Sequence, residues 1–201
     1  FGLVAERYAL QTQLDRLLVR SAVRLAGQGD AVAVELTGAT VAASDFVRQI
    51  ELEIVAGGLR PGGLVIELSQ ATITSPSAAA FVQGVRAAGC PVVVSRASGD
   101  VSRLGYLKQL PVDGVKLAST LVVELHRDAS RALQTIEGFM EQARRFGVFT
   151  AIEGVDDDEV RDQVLSLGLD RAQGPLWRAD DPAAPTEAAV SAQDVSAGDG
   201  G

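Results

Sequence analysis

The feature that most constrains this sequence is an alternation. Six short strand-like runs, at 31–36, 64–68, 91–95, 113–117, 148–153 and 170–174, are separated by stretches of helical periodicity at 45–56, 76–88, 101–109, 119–145 and 156–167, with a further helix expected over 6–27. The first runs (AVAVEL, LVIEL, PVVVS) are almost wholly apolar, as strands covered on both faces must be. A βαβα alternation implies parallel strands joined by right-handed crossovers. An open doubly wound sheet and a closed barrel both satisfy it, and periodicity does not choose between them. The 201 residues, 47% of them hydrophobic, suffice for a sizeable core and exclude disorder across the whole chain.

Within the helices, Leu10, Leu14, Leu17, Leu18 and Leu25 fall at helical spacing and predict the buried face of the 6–27 helix. Ser44 is placed to cap the 45–56 helix. Leu125, Ala129, Leu133, Ile136 and Met140 form one core stripe along a single long helix at 119–145. After Trp177 the composition turns to Ala, Asp, Pro, Ser and Gly, so a disordered tail is expected over 180–201, following one domain over 1–179. The chain opens at Phe1 directly into helical sequence, which reads as a piece of a longer protein.

Composition removes several functions. A formal net charge of −8 and a pI near 4.7 argue against a DNA-backbone binder. One cysteine, Cys90, excludes an intramolecular disulfide framework and reads as a packed thiol. One histidine, His126, excludes two-histidine zinc motifs and reads as a solvated helix residue. The acidic run 156–159 is explained, without a metal, by its place at a helix start, and Trp177 by plugging the edge after the last strand. No apolar run approaches the roughly 18 residues that span a bilayer, and no secretory signal is visible, so a cytoplasmic domain is expected, within a multidomain or membrane-attached protein.

In parallel α/β folds, chemistry gathers at the carboxyl ends of the strands. Those positions here are Glu35, Glu67, Ser95 with Arg96, Lys116, Glu153 and Gln173. Three carboxylates and a lysine on one rim suit a hard divalent cation and an anionic, phosphate-bearing ligand. Solvent-facing salt bridges on the rim are the plainer alternative.

Six segments carry a resemblance: FGLVAE (1–6), VAVELTGA (32–39), VIELSQ (65–70), YLKQLPVDGVKL (106–117), IEGV (152–155) and AQGPLW (172–177). In order and spacing they resemble the EAL-domain cyclic-di-GMP phosphodiesterases. The resemblance implies a modified TIM-type (β/α)8 barrel whose first strand, carrying Glu-Ala-Leu itself, lies before Phe1. It also implies two divalent metals, magnesium or manganese, flanking the scissile phosphate. Glu67, Lys116, Glu153 and Gln173 then fall on functional positions of the same residue type. Glu67 and Glu153 become vestigial metal ligands, Lys116 and Glu153 the positions of catalytic groups, and Glu35 stands where the family has asparagine.

The departures are concentrated. Ser95 and Arg96 stand where the family has an Asp-Asp pair, the loop 95–104 has lost its Asp-Asp-Phe-Gly-Thr-Gly character, and Ala118 replaces an aspartate. A hydroxyl and a fixed cation cannot neutralise a metal pair. The expectation is a degenerate, non-catalytic signalling domain needing no cofactor, with magnesium or manganese required only if catalysis survives. Its partners would be cyclic-di-GMP, held by Glu35, Glu67, Arg96, Lys116, Glu153 and Gln173, or a protein, with a homodimer also open. The alternatives are an active phosphodiesterase with altered ligands and a docking domain that ignores the nucleotide.

Overall fold

The computed structural model describes residues 10–177. The 1–6 motif, the first turn of the expected 6–27 helix and the expected tail at 180–201 lie outside the described residues. Six strands are present, β1 (Val32–Leu36), β2 (Leu64–Ser69), β3 (Val92–Ala97), β4 (Gly114–Leu117), β5 (Phe149–Glu153) and β6 (Arg171–Gln173), paired in parallel as β1–β2–β3 and as β4–β5–β6. All six coincide with the expected runs to within two residues at each end. By contact the chain divides into two compact units, Phe1–Ser95 with Tyr106–Asp113, and Arg96–Gly105 with Gly114–Gly201.

In the first unit, helices α1 (Gln11–Ala26), α2 (Gly38–Ala42), α3 (Phe46–Gly57), α4 (Gln70–Ile73) and α5 (Ala78–Ala87) accompany the strands. The short α2 and α4 have no apolar period of their own and are missing from the sequence reading. Strand β1 pairs with β2 from Val32↔Leu64 to Leu36↔Leu68, and β2 with β3 from Ile66↔Val92 to Ser69↔Ser95. Side chains alternate across a strand, so Leu64, Ile66 and Leu68 share one fully buried face while Val65, Glu67 and Ser69 share the other. The core also takes Leu36, Phe46, Ile50, Phe81, Val82 and Val85.

Helix α1 corrects an expectation. Three of its four leucines face outward, with Leu17 at 58%, Leu18 at 50% and Leu25 at 54% exposure and Leu14 half-buried, while Val19, Ala22, Val23 and Ala26 are buried. The helix carries two apolar stripes, and close approach selects the slimmer one. Val23 sits against Gly57 of α3, where even a methyl would come within 2.4 Å of its Cγ1. The same face carries Asp15, buried at 3% exposure, whose Oδ2 accepts from Thr37 N (2.8 Å), Thr37 Oγ1 (2.8 Å) and Thr40 Oγ1 (2.6 Å). That buried carboxylate is satisfied only if α1 turns this side inward. Arg16–Asp45 and Arg20–Glu53 ion pairs then bind α1 to α3 along the rim. Asp45, not Ser44, occupies the N-cap of α3, and its carboxylate is taken by Arg16, so no side chain caps that helix.

In the second unit, α6 (Thr120–Arg127), α7 (Ala129–Arg145) and α8 (Asp158–Ser166) alternate with the strands. The expected 119–145 helix is therefore two helices. Asp128 leaves helical geometry (φ −151°, ψ 79°), and its side chain caps α7 by accepting from Arg131 N. Leu125, Ile136 and Met140 are buried as the stripe predicts, joined by Phe139 and Ala143, while Ala129 and Leu133 are only half-buried. Strand β4 pairs with β5 from Gly114↔Phe149 to Leu117↔Ile152, and β5 with β6 from Ala151↔Arg171 to Glu153↔Gln173. The expected 101–109 helix is a 3-10 helix, Val101–Lys108.

Candidate functional site at the strand ends

The first unit brings two carboxylates together. Glu35 and Glu67 are register partners on adjacent parallel strands, so their side chains leave the same face of the sheet from backbones about 4.8 Å apart. Two residues further along that face, Ser69 and Ser95 are partners in turn. Ser69 caps α4, accepting from Thr72 N at 3.1 Å. Ser95 is fully buried, and its Oγ has no hydrogen-bond partner. The Asp15 cluster grips Thr37 and Thr40 just beyond Glu35, which fixes where β1 ends. Its one trace in the sequence is an aspartate interrupting an apolar helix face.

The end of β3 is unusual in its backbone. Arg96 has φ +54°, the one positive value at a non-glycine residue among the described residues, and its side chain is exposed. An L-residue held in that region costs about 1–2 kcal/mol. In the loop that follows, Asp100 is occupied locally. Its carboxylate accepts from Ser102 N (2.9 Å) and Ser102 Oγ (2.6 Å), and these bonds, with Arg103 close by, hold its pKa below the usual range. It is spent on starting the 3-10 helix.

The second unit brings Lys116, Glu153 and Gln173 together. Glu153 and Gln173 are register partners, and Lys116 shares their face through its pairing with Ala151. Lys116 Nζ donates to Gln173 Oε1 at 2.9 Å. On the same face, Phe149 lies over Gly114, and the Arg171 guanidinium stacks 3.9 Å from the Phe149 ring centroid. Two glycines set the strand ends. Gly154 follows Glu153 at φ +85°, where a Cβ would strike the Ser119 side chain, and Gly174 follows Gln173 where a Cβ would lie 2.1 Å from the Val155 carbonyl oxygen. That closeness permits Val155 N to donate to Gln173 O (3.1 Å) and Leu176 N to donate to Val155 O (3.1 Å).

The isolated residues follow their expectations in part. Cys90 is buried, and burial pushes its thiol up to about 11, which suits a packed, unreactive sulfur. Trp177 is half-buried just after a turn closed on Gly174. Asp157 caps α8 by accepting from Val160 N at 2.8 Å, the role expected of the acidic run. His126 is exposed, but it also meets Asp156 and Asp157, which the sequence reading did not foresee. Among the described residues no helix is long and apolar enough to cross a membrane.

In each unit parallel strands alternate with helices and carry polar side chains at their carboxyl ends, Glu35 and Glu67 in the first and Lys116, Glu153 and Gln173 in the second, the pattern of a barrel-type α/β fold. The chain belongs to the EAL domain family, whose profile matches residues 1–179. Its fold is the (β/α) barrel-like fold of EAL domains. The FimX EAL domain of Pseudomonas aeruginosa, solved bound to c-di-GMP, superimposes with a TM-score of 0.82 at 20% identity, covering 89% of this chain and 74% of that one. Among curated proteins, the cyclic di-GMP phosphodiesterase PdeB of Shewanella oneidensis is 22% identical over 182 residues, 87% of this chain and 21% of PdeB. The cyclic di-GMP phosphodiesterase RocR of Pseudomonas aeruginosa is 27% identical over 121 residues, 59% of this chain and 31% of RocR. The chain thus spans between a fifth and a third of the length of these two relatives.

Proposed function

We propose that this chain is a non-catalytic EAL domain that binds cyclic-di-GMP as a receptor. The observation that carries the reading is the end of β3, where a buried neutral hydroxyl, Ser95, precedes an exposed cation, Arg96. The family pattern calls for two aspartates there, to share a pair of divalent metals roughly 3.5–4 Å apart. Ser95 offers a weak neutral donor and Arg96 a fixed positive charge, and the loop's own carboxylate, Asp100, is engaged by Ser102. The donor set does not fit two metals, so no hydrolytic step is derived through them.

Binding has separate support. Cyclic-di-GMP carries two phosphates, and a guanidinium holds phosphate in bidentate fashion without a metal. Arg96, Arg103 and Lys116 supply cations at or near the strand ends, and Glu35, Glu67, Glu153 and Gln173 supply acceptors for the amino and imino groups of a guanine. The relatives whose names include cyclic di-GMP, and the FimX domain solved with it, bring this ligand to the fore. The runner-up, a working phosphodiesterase, draws on the Glu35–Glu67 pairing and on Lys116, Glu153 and Gln173 sharing one face.

Calorimetric titration with cyclic-di-GMP, in excess EDTA and then in magnesium, separates the readings when the nucleotide is recovered and analysed. Binding in EDTA with intact nucleotide is expected. Linear dinucleotide formed in magnesium would establish the phosphodiesterase instead. Silence in both conditions would leave the domain as a protein-docking surface.

A further inference from the structure

We propose that His126, Asp156 and Asp157 form a binding site for one divalent transition-metal ion, with zinc the best fit, separate from the strand-end site. The three come from two segments, the last turn of α6 and the turn between β5 and α8. His126 Nε2 lies 3.3 Å from Asp156 Oδ1 and 3.9 Å from Asp157 Oδ2, and the three ligand atoms all lie within 4.8 Å of one another. Tetrahedral zinc with bonds of about 2.0–2.1 Å separates its ligands by about 3.3 Å, so the trio is nearly at coordination spacing.

An ion pair alone accounts for this trio poorly. A single Nε2–H cannot serve two carboxylates at once, yet both converge on that nitrogen. Among the described residues His126 is also the one basic group paired with either carboxylate, whereas the neighbouring Asp158 and Asp162 are neutralised by Arg161. A cation at the centre of the three would take one donor atom from each, His126 Nε2, Asp156 Oδ1 and Asp157 Oδ2.

The ligands are held ready by independent contacts. Asp157 spends its other oxygen, Oδ1, on capping α8, which fixes the carboxylate and leaves Oδ2 turned toward His126. Asp156 follows Val155, whose N–H and carbonyl are both tied down by the Gln173–Leu176 backbone. His126 sits where α6 ends, and the carbonyl end of a helix favours a nearby cation. All three side chains are about half exposed, leaving room for water in the remaining coordination positions. One imidazole with two carboxylates selects zinc, cobalt or nickel over magnesium, which prefers all-oxygen octahedra. The bound ion would fasten the end of α6 to the segment three residues beyond Glu153.

The test is equilibrium titration of the full chain with Zn²⁺, with Co²⁺ absorption as a coordination probe and proton NMR of the imidazole, clean because the chain has one histidine. One zinc ion should bind, shift the imidazole resonances and give the intense Co²⁺ bands of a tetrahedral site. His126→Ala and Asp156→Asn should each weaken zinc by more than about tenfold with the thermal melt of the metal-free chain unchanged. Glu67→Gln should leave zinc affinity as it was. The proposal fails if the wild-type chain takes up no zinc, if His126→Ala binds zinc like wild type, or if Glu67→Gln is the variant that loses it. It fails equally if zinc binds while the imidazole resonances stay in place.

Discussion

The ends of β5 and β6 and the end of β3 belong to the same kind of position, yet they are built on different terms. At β5 and β6 the backbone is relaxed and the side chains work together. Glycine takes the one positive φ, Glu153 faces Gln173 in register, and Gln173 accepts from Lys116. At β3 the arrangement is reversed. Ser95 is buried with its hydroxyl unpartnered, and Arg96, a residue ill suited to it, holds the left-handed backbone. Asparagine and aspartate tolerate that region far better than arginine does. Residue identity at the end of β3 is the ground on which the non-catalytic reading proposed above rests.

The comparison can be broken first at Gly174. If the β5–β6 end depends on close backbone approach, Gly174→Ala must push the new methyl into the Val155 carbonyl oxygen, 2.1 Å away. Backbone cannot yield as a flexible side chain does, and urea denaturation should show a loss of about 3 kcal/mol or more. Gly105→Ala, with nothing within 4 Å of the added atom, is the matched control and should stay within about 0.5 kcal/mol of wild type. Equal, small effects at both glycines would mean that β5 and β6 are not locked as described.

Charge at the end of β3 is the next largest lever. Arg96→Glu, titrated with cyclic-di-GMP in EDTA so that the new carboxylate recruits no metal, should weaken binding by about a hundredfold, the scale of losing a charge-assisted contact and adding repulsion. Unchanged affinity would remove Arg96 from the site and shift the weight of binding to the Lys116–Gln173 side.

These differences also explain what was legible in the sequence. The strands read clearly, because a strand covered on both faces needs a mostly apolar run, and Val92 to Val94 or Leu64 to Ile66 allow little else. The face of α1 did not read clearly. A leucine stripe and a valine–alanine stripe share that helix, and the choice rests on Gly57 being distant in sequence and close in space, and on the hydrogen bonds Thr37 and Thr40 give Asp15. The break at Asp128 was visible only as a capping residue inside an otherwise helical pattern. Among the strand-end residues, identity and placement could be read from the motifs. The left-handed backbone of Arg96, the Lys116–Gln173 bond and the meeting of His126 with Asp156 could not, because each depends on tertiary approach across segments or on a dihedral that the residue type disfavours.

The smallest expected effect sharpens the comparison most. Arg96→Gly removes both the disfavoured conformation and the guanidinium. Relief of the left-handed backbone favours the variant by about 1–2 kcal/mol, while the added freedom of glycine in the unfolded chain returns part of that, leaving a net gain of about 0.5–1 kcal/mol. The same variant should lose nucleotide affinity, so stability and binding would move in opposite directions at one residue, as expected where strain is kept for a ligand. Chemical denaturation beside calorimetry gives both numbers from one preparation. A variant less stable than wild type would show that the contacts of the Arg96 side chain outweigh its backbone cost, making arginine at the end of β3 a structural choice instead of a binding one.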